Sequence, residues 1–179
     1  MRFEFATATR IIFGRGTARE TGTIAGRMGR RVFFLTGRSV TRAQPLIGLL
    51  REEGIAVTQF SIPAEPTTQL ALAAVQEARQ KKSDVVVGMG GGSVLDTGKV
   101  VAALLTNSGR LMDYLEVIGQ GRPLTQESAP FVAIPTTAGT GTEVTSNSVL
   151  NSPDHRVKVS MRSPFMLPDV ALIDPELTY

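Results

Sequence analysis

With 179 residues, 42% of them hydrophobic and 20% charged, the chain has the composition of an ordinary globular protein and the length for one domain with a real core. It contains no cysteine and one histidine, which excludes a disulfide framework, a cysteine nucleophile and a common imidazole or thiolate metal site built from this chain alone. A net charge of +3 from scattered Arg and Lys, with 6% aromatic residues, argues against nucleic-acid binding; no apolar run is long enough to cross a bilayer, and a reducing cytoplasm is the expected location.

Met1 to Gly14 (MRFEFATATRIIFG) lacks the apolar run of a signal peptide. The two short apolar runs within Arg2 to Phe13 read either as an exchangeable edge that pairs two copies or as a hairpin on their own domain. Arg31 to Thr36 (RVFFLT) is the first strong strand, followed by a helix from about Thr41 to Glu53 that Gly54 ends. Ile55 to Ile62 is a second strand, Pro63 to Pro66 a break, and Thr67 the cap of an Ala-rich helix running to Lys81. Asp84 to Met89 (DVVVGM) is continuously apolar and β-branched, as a strand covered on both faces should be, and Val94 to Leu105 is the next helix. Strands alternating with helices of this length imply an α/β fold, with a parallel sheet flanked by helices and ligands at the carboxyl ends of its strands.

Beyond Asn107 the pattern loosens into a polar loop with Gly119, Gly121 and Pro123. Phe131 to Ile134, Asn147 to Leu150, Val157 to Met161 and Val170 to Ile173 read as additional strands, and Asn151 to His155 as a turn that puts His155 on the surface.

Two loops carry the chemistry. Gly88 to Lys99 (GMGGGSVLDTGK) places Gly90, Gly91 and Gly92 between a buried strand and a helix. There the backbone can approach a ligand closely, and the helix start offers free N–H groups to an anion such as phosphate. The spacing is neither the dinucleotide fingerprint, whose third glycine would fall at Ser93, nor a Walker A loop. A purely structural turn is the alternative: Ser93 and Asp96 are spaced like a capping box with Asp in place of Glu, although capping does not require three glycines. The second loop, Pro135 to Thr145 (PTTAGTGTEVT), sets Thr136, Thr137, Thr140, Thr142 and Thr145 at the end of another buried strand. Read alone, it is equally a ligand-facing row of hydroxyls or a plain Thr/Gly connector; paired with the first loop on one sheet edge, it points to a nucleotide.

The segments GGGSVLDTGK, IPTTAGTGTEVT and LPDVALIDPEL, with FGRG near the start and DYLE between them, resemble the amino-terminal half of the iron-containing alcohol dehydrogenases, relatives of glycerol dehydrogenase and dehydroquinate synthase. The resemblance covers nearly the whole chain. It implies a Rossmann-like NAD(P)-binding domain spanning 1–179, with Gly91, Gly92 and Ser93 on the pyrophosphate, Thr136, Thr140 and Thr145 lining the cofactor, and Val149 beside it. It further implies Lys158 near the nicotinamide ribose and Asp96 at the cleft; without the family, Lys158 reads as a solvated strand lysine. No catalytic residue is assigned in this chain. The family's metal, Fe(II) or Zn(II), is held by an aspartate and three histidines in an all-helical second domain that is absent from these residues. The chain then resembles a piece cut at the DPEL hinge, inactive alone, of an enzyme that moves hydride between a small alcohol or aldehyde and the dinucleotide. A stand-alone nucleotide-binding module, a maleylacetate reductase and a hydroxyacid-oxoacid transhydrogenase are the alternatives.

One departure concerns the choice of cofactor. Many relatives end the first strand in Thr-Asp, whose carboxylate binds the adenosine ribose and repels a 2′-phosphate. Here the chain reads Thr36-Gly37-Arg38-Ser39, which lifts the repulsion and supplies a cation and a hydroxyl, so NADP(H) is expected beside NAD(H).

Overall fold

The structure is a computed structural model and describes all 179 residues. Eight strands form, β1 (Arg10–Phe13), β2 (Arg31–Thr36), β3 (Ala56–Ser61), β4 (Val85–Gly90), β5 (Phe131–Pro135), β6 (Asn147–Ser152), β7 (Val157–Arg162) and β8 (Val170–Ile173). The helices are α1 (Thr21–Gly26), α2 (Gln44–Glu52), α3 (Thr68–Gln80), α4 (Gly92–Thr106) and the single turn α5 (Leu111–Tyr114). Six strands make one sheet in the order β1-β8-β5-β4-β2-β3, every pair parallel, while β6 and β7 form a separate antiparallel hairpin.

The central strands are apolar throughout because both faces are covered. Phe33, Leu35 and Val86 pack into one core with α3, α4 and the β6–β7 hairpin, whereas the alternate residues Val32, Phe34, Val85 and Val87 pack into a second core with α1 and α2. This is the period-two alternation of a strand, with apolar partners on both sides. Full burial of side chains such as Phe33 and Phe34 stabilises the fold by roughly 1.5–3 kcal/mol each.

Helix α4 is buried on nearly every face, since α3 and the hairpin cover what the sheet does not. Its approach to β5 depends on Gly98, where an added Cβ would lie 2.7 Å from the Phe131 ring. Thr67 caps α3 as expected, its hydroxyl accepting from Leu70 N–H at 3.1 Å.

Three expectations need correction. Helix α2 starts three residues later than read, after a 3-10 turn over Val40–Ala43, because Pro45 suits the first turn of an α-helix rather than its interior. The amino-terminal segment forms no hairpin: only Arg10–Phe13 is a strand, and it joins the sheet edge parallel to β8. The segment after Asn107 is not loop throughout: it includes α5, and the buried Asn107 side chain anchors it by donating to the carbonyls of Ala103 and Gln126 and accepting from the N–H groups of Thr125 and Gln126, at 2.9–3.0 Å.

Candidate functional site

Strand register sets the site. Thr36 lies opposite Met89, and Gly90 opposite Pro135, so the loops leaving β2, β4 and β5 all open on the carboxyl edge of the sheet. Strand β4 runs into α4 with Gly91 alone between them, and no side chain caps the helix. A Cβ at Gly90 would lie 2.4 Å from Val94 Cγ2, so packing demands glycine there. At Gly92 a Cβ would sit 3.6 Å from Thr140 Cγ2, an ordinary contact, so packing does not explain that glycine. Val94 and Leu95 N–H both turn back to the Gly91 carbonyl, at 3.1 and 3.2 Å. The amides of Gly92 and Ser93 belong to the first helical turn, where no residue four positions back serves as acceptor.

The capping-box reading of Ser93 and Asp96 is overturned. The cap is Gly91, and the half-buried Asp96 turns away from the helix start, accepting from the Thr142 hydroxyl and, at 3.2 Å, from Val149 N–H. Burial raises the Asp96 pKa above the usual carboxylate range, against the opposing pull of those two donors and the Lys99 charge.

Beside the glycine turn lies a cavity of about 190 Å³ lined by residues that include Gly37, Arg38, Ser39, Gly90, Gly91 and Thr136. Its other walls are Thr36, Arg42, Ala43 and Met89, so the lining has two guanidinium groups and no carboxylate. Arg38 is exposed and donates from Nε and Nη2 to the Pro63 carbonyl, both at 3.3 Å; the Ser39 hydroxyl pairs with that of Thr41 at 3.3 Å. The buried Thr36 hydroxyl has no hydrogen-bond partner, a polar group the fold leaves unsatisfied at this wall.

The threonines of the second loop divide into two sets. Thr137 and Thr140 are exposed and Thr136 half-buried, all beside the glycine turn. Thr142 and Thr145 face inward to Lys99, which is 1% exposed and donates from Nζ to Thr142 Oγ1 (3.0 Å), Thr145 Oγ1 (3.0 Å) and the Asn147 carbonyl (2.9 Å). Burial lowers the Lys99 pKa to about 8, with the charges of Asp96 and Glu143 opposing the shift. Sequence reasoning missed Lys99 because nothing local distinguishes a lysine within a helix; the clue was its position on a helix that is otherwise apolar from Val100 to Leu105. Val149 is half-buried on β6 next to Asp96. Lys158 is exposed and forms an ion pair with Glu65 at 2.6 Å, a surface pair of small energetic weight. His155 is exposed in the turn, its Nδ1 2.9 Å from Ser152 Oγ.

The glycine turn, the hydroxyl loop and a parallel sheet opening on one edge define a Rossmann-like nucleotide-binding architecture. The family model for iron-containing alcohol dehydrogenases matches residues 8–175, and the chain belongs to that family. It is 42% identical over 130 residues to long-chain-alcohol dehydrogenase 1 of Geobacillus thermodenitrificans (strain NG80-2), covering 72% of this chain and 32% of that protein. It is 33% identical over 171 residues to the NAD-dependent methanol dehydrogenase of Bacillus methanolicus, covering 93% of this chain and 44% of that one. Among solved structures, sulfoacetaldehyde reductase from Bifidobacterium kashiwanohense in complex with NAD+ superposes with a TM-score of 0.87 at 32% identity, over 100% of this chain and 48% of that one. The chain thus spans less than half the length of these relatives and corresponds to their nucleotide-binding region. Within its 179 residues no three His, Asp or Glu side chains converge to hold a metal.

Proposed function

We propose that residues 1–179 form the NAD(P)(H)-binding domain of an oxidoreductase that exchanges hydride between a small alcohol or aldehyde and the dinucleotide. The observation that carries this reading is the glycine turn, with two unclaimed helix-start amides, opening beside a cavity that has guanidinium groups and no carboxylate. Those amides and the Ser93 hydroxyl hold the diphosphate, with Gly90 and Gly91 admitting it at backbone distance. The orphaned Thr36 hydroxyl, Gly37 and Ser39 border the adenosine side, where Arg38 and Arg42 attract a 2′-phosphate; NADP(H) is favoured over NAD(H). Thr136, Thr137 and Thr140 line the near wall, while Thr145, Asp96, Val149 and Lys158 border the nicotinamide end.

When bound, the dinucleotide supplies or accepts the hydride; these residues bind it and fix its orientation. The metal implied by the family has no site among these residues. The domain operates in the cytoplasm, and β1, with Ile11 and Phe13 exposed at the sheet edge, is where two copies pair.

A fluorescence titration with NADPH and NADH tests the reading. Saturable binding in the micromolar range, tighter for NADPH, is expected; no binding of either at millimolar concentration defeats it, and much tighter NADH binding defeats the 2′-phosphate assignment. The alternative reading is a binding module without turnover. Metal-dependent turnover of an aliphatic alcohol by these residues alone would defeat that alternative.

A further inference from the structure

Lys99 is the one lysine in the core, and it lies at the centre of a hydrogen-bond chain joining α4 to the threonine loop. All three of its ammonium protons are committed, to Thr142, Thr145 and the Asn147 carbonyl, so no proton is left for a ligand. An ammonium only donates, whereas a hydroxyl both donates one proton and accepts. Each threonine oxygen that accepts from Lys99 must therefore send its own proton elsewhere. The Thr142 proton goes to Asp96 Oδ1. For Thr145 the internal acceptor is the Thr142 carbonyl at 3.4 Å, far longer than an ordinary O–H···O bond, so its proton is essentially uncommitted.

We infer that Lys99 is a positioning residue that fixes the Thr145 hydroxyl as a hydrogen-bond donor toward an acceptor oxygen of the bound dinucleotide. This rests on the nucleotide-binding reading above and adds a direction to it. Lys99 touches no ligand itself; it sets the polarity of the hydroxyl that does. A neutral amine would carry a lone pair able to accept from Thr145, and the proton would then turn inward. The charged groups facing Lys99 are Asp96 on α4 and Glu143 on the 3-10 turn Thr142–Val144, while β6 presents only the Asn147 carbonyl. Burial brings the Lys99 pKa down to about 8, so the interval from pH 7 to 9.5 spans its titration.

The test is the dissociation constant of NADPH, and of NADH, measured by fluorescence from pH 7 to 9.5 for the wild type, Lys99→Met, Thr145→Ser and Thr145→Val, with circular dichroism to verify folding. Wild type should weaken about tenfold as pH passes 8, the worth of one charge-assisted hydrogen bond. Thr145→Ser, which keeps the hydroxyl, should retain both affinity and pH profile. Thr145→Val and Lys99→Met should bind about tenfold more weakly at pH 7 and show no pH dependence. Folded Thr145→Val with wild-type affinity and profile would overturn the inference while leaving the nucleotide site standing; if Lys99→Met does not fold, the serine–valine pair decides. A wild type that binds neither dinucleotide defeats both this inference and the function on which it rests.

Discussion

The glycine turn Gly90–Ser93 and the threonine loop Thr136–Ser146 meet on one sheet edge but are built on opposite principles. The turn works by removing side chains: β4 runs almost directly into α4, and a single methyl at Gly90 would overlap Val94. The loop works by adding them, with two of its hydroxyls oriented by a buried ammonium 43 and 46 residues away in sequence. A site made from backbone amides carries its polarity in the peptide bond, whereas hydroxyls are rotors whose direction must be set by a neighbour. The turn therefore needs only local geometry, and the loop needs a tertiary partner.

The strongest way to break this contrast is Gly90→Val. Overpacking against Val94 should destabilise the protein by about 3 kcal/mol in urea unfolding. NADPH affinity should fall roughly a hundredfold by titration, an effect of about 2.7 kcal/mol. Wild-type affinity in that variant would show that the turn is not the seat of the diphosphate.

The next largest effect separates stability from binding through Lys99. Its pKa falls from an ordinary 10.5 to about 8 in the folded chain, so between those values the unfolded state holds the proton and stability rises with pH. The rise should be on the order of 1 kcal/mol per pH unit across that interval. Urea unfolding at pH 7.5, 8.5 and 9.5 should show the rise in wild type and its loss in Lys99→Met. Over the same range cofactor affinity should fall, so the two curves move in opposite directions.

Arg38→Ala sharpens the cofactor side. Removing an exposed guanidinium from the cavity wall should weaken NADPH binding about tenfold in a paired titration and NADH binding far less. Equal losses for both would assign Arg38 to a general role.

The smallest effect is Asp174→Asn. Burial works to raise the pKa of this carboxyl, but the N–H groups of Glu176, Ala18 and Gly16 and the charge of Arg19 more than offset it and hold it low. Its contribution is present above the ordinary aspartate range and is lost as pH falls through the lowered value. At pH 7 the variant should lose about 1 kcal/mol in urea unfolding, with NADPH affinity unchanged. A loss of affinity there would extend the site toward the segment after β8.

Much of the architecture was legible because local patterns agree with the tertiary arrangement. The ends of β2 and β8 were read to the residue, since RVFFLT and VALI are short apolar runs with clear breaks on both sides. The amino-terminal segment was harder, because an edge strand with three of its four residues exposed has little pattern to read. The candidate site divides in the same way: the glycine turn between β4 and α4 is visible in adjacent residues, whereas spacing alone offers Asp96 as a helix cap, because it cannot distinguish a carboxylate facing its own helix from one facing a neighbouring strand.

By itself the sequence determined the parallel α/β layout, the glycine turn between β4 and α4 and the absence of an aspartate after the first strand, since each is written in adjacent residues whose backbone preferences act locally. Only the tertiary structure decided that Thr142 and Thr145 answer to Lys99 and that Asp96 reaches across to Val149, because hydrogen bonds between distant segments depend on which surfaces the sheet and helices bring within 3 Å or so of one another.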